Sequence, residues 1–385
     1  MGISEIFFDL VKKLFEKRKL KNIIIFHSRP DFADNTRAVF DEMIKQGVNE
    51  KYKLVWLADG NKQFDCNDKN VFTVNMHKNV FSKIISVYYR CVAMVILDCN
   101  GALSKLNKKY NQYVFYLMHG CPLKRVVGGY YTVPDYVDNM INSSEFFAKY
   151  DSINNSYPVD KIVSLGFARN DLLLNSGFDV KKLFPSKSFE RCVYWLPTFR
   201  KHKNVGNLQF SNIDFPIIYN EEIANKINEA ACKNNVLIII KPHFVQDVSS
   251  IKKLDLSNLV FIDDTFFEKN NLQNYCLLAS ADALITDYSS VYFDYLLCNK
   301  PIGLCWDDFD EFNKKQGFLF EPDYIFSAGE KIFNCDDFIE FIVNVSNGID
   351  LKQDDRLKLA KQVHQYFDGK SAERTVHFIL DKLKN

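Results

Sequence analysis

At 385 residues the chain is too long for a single hydrophobic core, and at about 150 residues per domain it divides into two or three. Hydrophobic residues make up 47% and charged residues 25%, which excludes a disordered, collagenous or coiled-coil chain. With 49 Lys and Arg against 48 Asp and Glu, the formal charge is +1, so a global basic field for nucleic acid is absent.

Residues 1–21 carry Ile3, Ile6, Phe7, Leu10, Val11, Leu14 and Phe15 at three- and four-residue steps, one apolar helical stripe. Lys12, Lys13, Lys17, Arg18, Lys19 and Lys21 outnumber Glu5, Asp9 and Glu16, so the segment is locally basic. Such a helix suits an anionic membrane interface, and equally a berth on the body of the protein. No apolar run approaches the ~20 residues that cross a bilayer, which argues against an integral membrane protein. The ten cysteines include no CxxC pair, a spacing that favours reduced thiols in a cytosolic compartment over disulfides or a zinc ribbon.

From residue 22 onward, short β-branched and aromatic runs alternate with helical patterns. Strands are predicted at Asn22–His27, Lys53–Ala58, Val71–Val74, Val92–Asp98, Tyr113–Met118, Val137–Ile141 and Lys161–Leu165, with helices over 36–47 and 144–151. Residues 173–190 lose this periodicity and read as a linker. The alternation resumes at Arg191–Leu196, Val236–Lys241, Leu259–Asp263, Ala283–Thr286 and Pro301–Leu304. Two consecutive α/β halves predict two Rossmann-like domains facing a cleft, with ligands at the carboxyl ends of the strands.

Four clusters fall there. In the run Tyr116–Arg125, His119 follows a strand end and precedes Gly120 and Pro122; its neutral-range pKa suits a general base, and Lys124 can hold an anion. In Tyr194–Lys201, Pro197 stops a strand before Thr198 and Arg200; that guanidinium can fork onto phosphate, or pair with a local carboxylate. In Leu237–Phe244, an apolar strand ends at Lys241, Pro242 and His243, which suit an anion or read simply as surface residues. In Ala283–Pro301, Ser289 and Ser290 open a helix predicted to run through Leu297, and Asp294 lies roughly on their face. Serines there accept a phosphate's company or merely cap the helix. GxGxxG, GxxxxGK[ST], HExxH and GxSxG are all absent. The adjacent pairs Asp263–Asp264, Asp307–Asp308 and Asp354–Asp355 read as solvated loops, with a divalent metal as the weaker reading.

The order His-Gly-x-Pro-Leu-Lys, Pro-Thr-x-Arg, Lys-Pro-His and Thr-Asp-Tyr-Ser-Ser resembles the CDP-glycerol glycerophosphotransferase family, the primases and polymerases of teichoic acid and related capsule polymers. Asp34–Phe40, Gly166–Asp171, Gly317–Phe318 and Asp368–Arg374 extend the resemblance over about residues 22–380. Phe199 stands where the family usually has Trp, Ala168 where Pro is usual, and Phe244 where Pro often follows the His.

The resemblance implies a GT-B architecture: an acceptor domain over 22–180, a CDP-glycerol domain over 190–355, and helices over 356–385 packing back on the first. It implies transfer of glycerol phosphate from CDP-glycerol to a hydroxyl of a polyprenyl-linked saccharide or polyol phosphate acceptor. CMP is released, at the inner face of the bacterial cell membrane. His119 and His243 become the expected catalytic pair, and Lys124, Arg200, Lys241, Thr286, Asp287, Ser289, Ser290 and Asp294 the expected substrate-binding residues. CDP-ribitol transfer, sugar transfer by a GT-B glycosyltransferase and a non-enzymatic assembly subunit are the competing expectations.

Overall fold

The computed structural model describes residues 10–60, 64, 68–100, 108–109, 111–125, 132–200, 215–243, 254 and 256–384. Residues 1–9 of the predicted amphipathic helix, with Cys66 and Phe244, lie outside these. The chain divides into two compact units: Met1–Gly120, Tyr131–Asp171 and Asp368–Asn385 form unit 1, and Cys121–Tyr130 with Leu172–Phe367 form unit 2. This division differs from the expected domain limits in three places, the first being that unit 2 already takes over at Leu172, where the first domain was expected to run to 180. The Cys121–Tyr130 segment sits in unit 2, as does the helix Gln353–Val363, while only the last helix, Ser371–Lys382, lies in unit 1.

Unit 1 is built on β1 (Lys21–His27), β2 (Lys53–Ala58), β3 (Val71–Asn75), β4 (Ala93–Asp98), β5 (Tyr113–Tyr116), β6 (Asn139–Asn142) and β7 (Ile162–Ser164), all parallel in the order β3-β2-β1-β4-β5-β6-β7. Ile23–Phe26 and Leu54–Leu57 are buried, because a parallel sheet covered on both faces needs continuous apolar strands. The Asp34–Lys45 helix buries Thr36, Val39, Phe40 and Met43 at helical spacing, and Phe40 packs edge-on against Phe26 at 5.2 Å between centroids. Gly47, at φ 71, turns the chain away after that helix, which ends earlier than the predicted residue 47. Val92 completes the Val80–Val92 helix instead of opening β4. β5 stops at Tyr116, short of the predicted Met118, because Met118 adopts φ 51.

Unit 2 carries β8 (Arg191–Trp195), β9 (Val236–Ile240), β10 (Leu259–Phe261), β11 (Ala283–Thr286), β12 (Ile302–Cys305) and β13 (Glu330–Ile332), parallel in the order β10-β9-β8-β11-β12-β13. Its core sets Trp195 against Phe338 and Phe215, with Ile238, Ile240, Ile285 and Phe341 around them. Gly303 lets β12 lie close to its cover, since a Cβ there would meet Ile332 Cδ1 at 2.7 Å. The helix after Ser290 is shorter than predicted: an α-turn over Val291–Tyr295 passes into a 3-10 turn, Leu296–Cys298.

Each sheet reverses its winding beside its central strands, β1/β4 in unit 1 and β8/β11 in unit 2. The carboxyl ends flanking these points are where open α/β sheets bind ligands.

Candidate functional site

In unit 1, register places His27 of β1 level with Asp98 of β4, and Asp98 level with Tyr116 of β5. His119 emerges three residues later, exposed, with its Nδ1 at 3.3 Å from the Cys99 carbonyl. A carbonyl only accepts, so Nδ1 carries the hydrogen, and in the neutral ring the lone pair is on Nε2. That is the state a general base needs.

Beside it lies a cluster that motif reasoning missed. Fully buried His27 contacts Asp98 through Nδ1 at 3.1 Å, and its Nε2 faces Asp59 at 3.8 Å. Burial opposes charge on His27, yet the two carboxylates outweigh it and raise its pKa. The His27 interaction also holds Asp59 well below the usual carboxylate range, against its partial burial and with help from Arg29. His77 adds a further contact to Asp59 at 3.1 Å. The available signal was positional: His27, Asp59 and Asp98 all stand where an apolar strand ends.

In unit 2, the carboxyl ends of β8, β11 and β12 are neighbours, and they bring together residues from three distant stretches. Arg200 is fully buried: its Nε and Nη2 donate to Asp308 at 2.6 and 3.1 Å, and its Nη1 donates to Asp287 at 2.7 Å and to the Thr198 carbonyl at 2.9 Å. Asp287 also accepts from the Thr198 N–H and hydroxyl and from the Tyr288 N–H, and Asp308 accepts from the Tyr288 hydroxyl at 2.8 Å. Of the two expectations for Arg200, the contacts described are those of the carboxylate pairing: Asp287 and Asp308 hold the guanidinium, and together with Arg200 they brace the strand ends. Burial opposes charge on Arg200, but Asp287 and Asp308 raise its pKa.

Three more expected binding residues face inward. Thr286 is buried and donates to the Leu196 carbonyl at 2.8 Å, Asp287 belongs to the brace, and Asp294 is buried and accepts from the Tyr275 hydroxyl at 2.6 Å. The Asp307–Asp308 pair is likewise no solvated loop. Asp307 accepts from the Ile217 N–H and the Tyr219 hydroxyl, and burial raises its pKa.

Ser289 and Ser290 are half-buried at the start of their short helix, the Ser289 carbonyl accepting from the Tyr292 N–H. Lys241 pairs with Asp264 at 2.9 Å, and the exposed His243 lies against the Phe199 ring at 5.0 Å. Lys124 joins this unit, its ammonium over the Phe312 ring at 5.4 Å. Burial draws Lys124 down to about 8, Asp287 opposing and Arg200 reinforcing. Thus His119 belongs to unit 1, whereas Lys124, five residues later, belongs to the Arg200–Asp287–Asp308 network of unit 2. Among the described residues no three His, Cys, Asp or Glu side chains stand together as a metal site.

Two parallel α/β units with polar groups gathered at the strand ends define a protein of GT-B architecture. The fold is similar to that of the wall teichoic acid polymerase TagF, with a TM-score of 0.74 at 18% identity over 99% of this chain and 95% of that one. It is also similar to a UDP-GlcNAc 2-epimerase from Methanocaldococcus jannaschii, with a TM-score of 0.54 at 15% identity over 94% and 99% of the two chains. The chain belongs to the CDP-glycerol:poly(glycerophosphate) glycerophosphotransferase family, whose model matches residues 9–381. It is 22% identical to a teichoic acid poly(glycerol phosphate) polymerase from Bacillus spizizenii, over 98% of this chain and 96% of the relative. It is 23% identical to the teichoic acid ribitol-phosphate polymerase TarL of Staphylococcus aureus, over 94% of this chain but only 63% of the relative's length.

Proposed function

We propose that the chain transfers glycerol phosphate from CDP-glycerol to a hydroxyl of a polyprenyl-linked saccharide or polyol phosphate acceptor, releasing CMP, in teichoic acid or capsule polymer synthesis. The acceptor oxygen attacks the phosphorus that bears glycerol, its proton passes to His119 Nε2, and the bond from that phosphorus to CMP breaks. His243, Lys124 and the hydroxyls of Ser289 and Ser290 hold the phosphates and meet the charge that develops on the leaving group. Arg200, Asp287 and Asp308 keep the strand ends rigid beneath them. The observation that carries this is the His119 ring, exposed at a strand end and with its Nδ1 on a backbone carbonyl, in a chain of this family.

His119→Ala should lower turnover about 10²–10⁴-fold while leaving CDP-glycerol affinity nearly intact. Mass spectrometry of a lipid-linked acceptor analogue after incubation with each donor reads the product. Wild-type turnover in that variant would end the base assignment. Similarity to ribitol-phosphate polymerases supports CDP-ribitol as a second donor, and supplying it beside CDP-glycerol and UDP-sugars separates the three chemistries.

Contact with an anionic membrane surface belongs to the same proposal. Residues 10–15 are helical, with Leu10 and Leu14 exposed while Phe15 packs on Tyr88 of the Val80–Val92 helix. That second helix exposes Val80, Phe81 and Ile85. Two adjoining helices with bare apolar side chains and lysines around them suit the headgroup boundary, where the acceptor's lipid resides. No helix among the described residues is long and apolar enough to cross a membrane.

A further inference from the structure

We propose that Asn35 is the positioning residue of His119, a role that rests on the assignment of His119 as the base. The backbone that delivers His119 is one a chain left to itself avoids. Met118, directly before it, sits at φ 51, in the left-handed region that disfavours residues with a Cβ. A single side chain clamps both peptide groups around that α-carbon. Asn35 Nδ2 donates to the Leu117 carbonyl at 2.9 Å and to the Met118 carbonyl at 3.0 Å.

The amide cannot turn over, because Asn35 Oδ1 accepts from the Arg169 N–H at 3.1 Å, and reversal would set that oxygen against two carbonyls. Arg169 is held in turn by its guanidinium on Asp34 at 2.7 Å. Asn35 itself is fully buried at the start of the Asp34–Lys45 helix. The two stretches around Asp34 and Arg169, which the mechanism leaves without work, therefore meet behind the His119 turn.

The ring's partner is fixed separately. The Asp98 carboxylate accepts from the Asn100 N–H at 3.0 Å and contacts His27 Nδ1, which holds the turn that presents the Cys99 carbonyl. The catalytic lone pair on Nε2 thus depends on two distances: His119 must stay where Asn35 places it, and Cys99 where Asp98 places it. If the clamp at residues 117–118 is lost, the Nδ1 contact is lost with it, and the ring is released to the Nε2–H form, which cannot accept a proton at Nε2.

The test uses the full chain with histidine labelled in both ring nitrogens. Asn35→Asp keeps the volume but replaces both donors with an acceptor, and Asn35→Ala removes the group. Both should lower kcat about 10- to 100-fold, as a displaced reacting group does, with CDP-glycerol affinity unchanged within about two-fold. The ring spectrum of His119 should change from Nδ1–H to a mixture containing Nε2–H. Adding Asn35→Ala to His119→Ala should cost nothing further.

Wild-type kcat per folded molecule, or an unchanged His119 spectrum in the isosteric Asn35→Asp, would overturn the positioning role. Should Asn35→Ala fail to fold, Asn35→Asp and its spectrum still decide. If His119→Ala alone turned over normally, the base assignment would fall, and the spectrum would still report whether Asn35 sets the ring.

Discussion

Replacing Arg200 with Met separates the two roles a buried guanidinium can have. In the structure this side chain pairs ionically with both Asp287 and Asp308, and all three are buried. Removing one partner of a buried ion pair costs about 3–5 kcal/mol, because it strands the other charge. Here both carboxylates keep other donors: Asp287 retains Thr198 and the Tyr288 N–H, and Asp308 retains the Tyr288 hydroxyl. The loss should therefore fall near the lower end, about 3 kcal/mol. Unit 2 spans about 200 residues, for which each kcal/mol moves the melting temperature by roughly 2–4 °C. Scanning calorimetry should then show a drop of roughly 6–12 °C, and Arg200→Lys, which keeps the charge but not the fork, a smaller one. A melting temperature unmoved in Arg200→Met, with CDP-glycerol affinity abolished, would mean that the guanidinium serves the ligand and that the brace is wrong.

Lys124 should make donor affinity depend on pH. Its ammonium is protonated below about 8 and neutral above, so CDP-glycerol binding by calorimetry should weaken as pH rises through that value, and Lys124→Gln should flatten the profile. Since its folded pKa lies below the unfolded value near 10.4, the folded state binds fewer protons between the two, and stability should rise with pH across that window. Asp171 accepts from the Ser371 and Ala372 N–H groups at 2.9 and 2.8 Å, capping the last helix from a distance. Asp171→Ala should cost about 1–2 kcal/mol and speed amide exchange in Ser371–Lys382; exchange unchanged there would remove that role. Leu14→Ser with Phe81→Ser should halve or further reduce sedimentation with anionic vesicles, and undiminished binding would refute membrane contact through these helices.

The parallel strands were legible because a sheet covered on both faces demands unbroken apolar runs, and Val236–Ile240 or Ala283–Thr286 have no other reading. β13 was missed for the same reason inverted: three residues long at a sheet edge, it begins Glu330-Lys331 and carries no apolar run. Local chemistry was visible at His119, where one turn supplies strand end, glycine and proline. The fate of Arg200 was not visible, since its partner Asp308 lies over a hundred residues downstream. Only the strand order, which sets β8, β11 and β12 side by side, makes Thr198, Asp287 and Asp308 neighbours. Asn35 was hidden similarly, because it reaches across from the first helix to carbonyls at residues 117 and 118.

The return of Asp368–Asn385 to unit 1 has a consequence for biosynthesis. The Ser371–Lys382 helix packs on the Asp34–Lys45 helix and brings Phe378 to Phe115, with Val376 and Ile379 wholly buried. While the ribosome is still working, the half that emerges first therefore stays open-sided, and the half translated later closes before it. A transcript cut shortly after Phe367 would yield a chain with all of unit 2 and a bare apolar flank on unit 1, a surface that chaperones and proteases recognise.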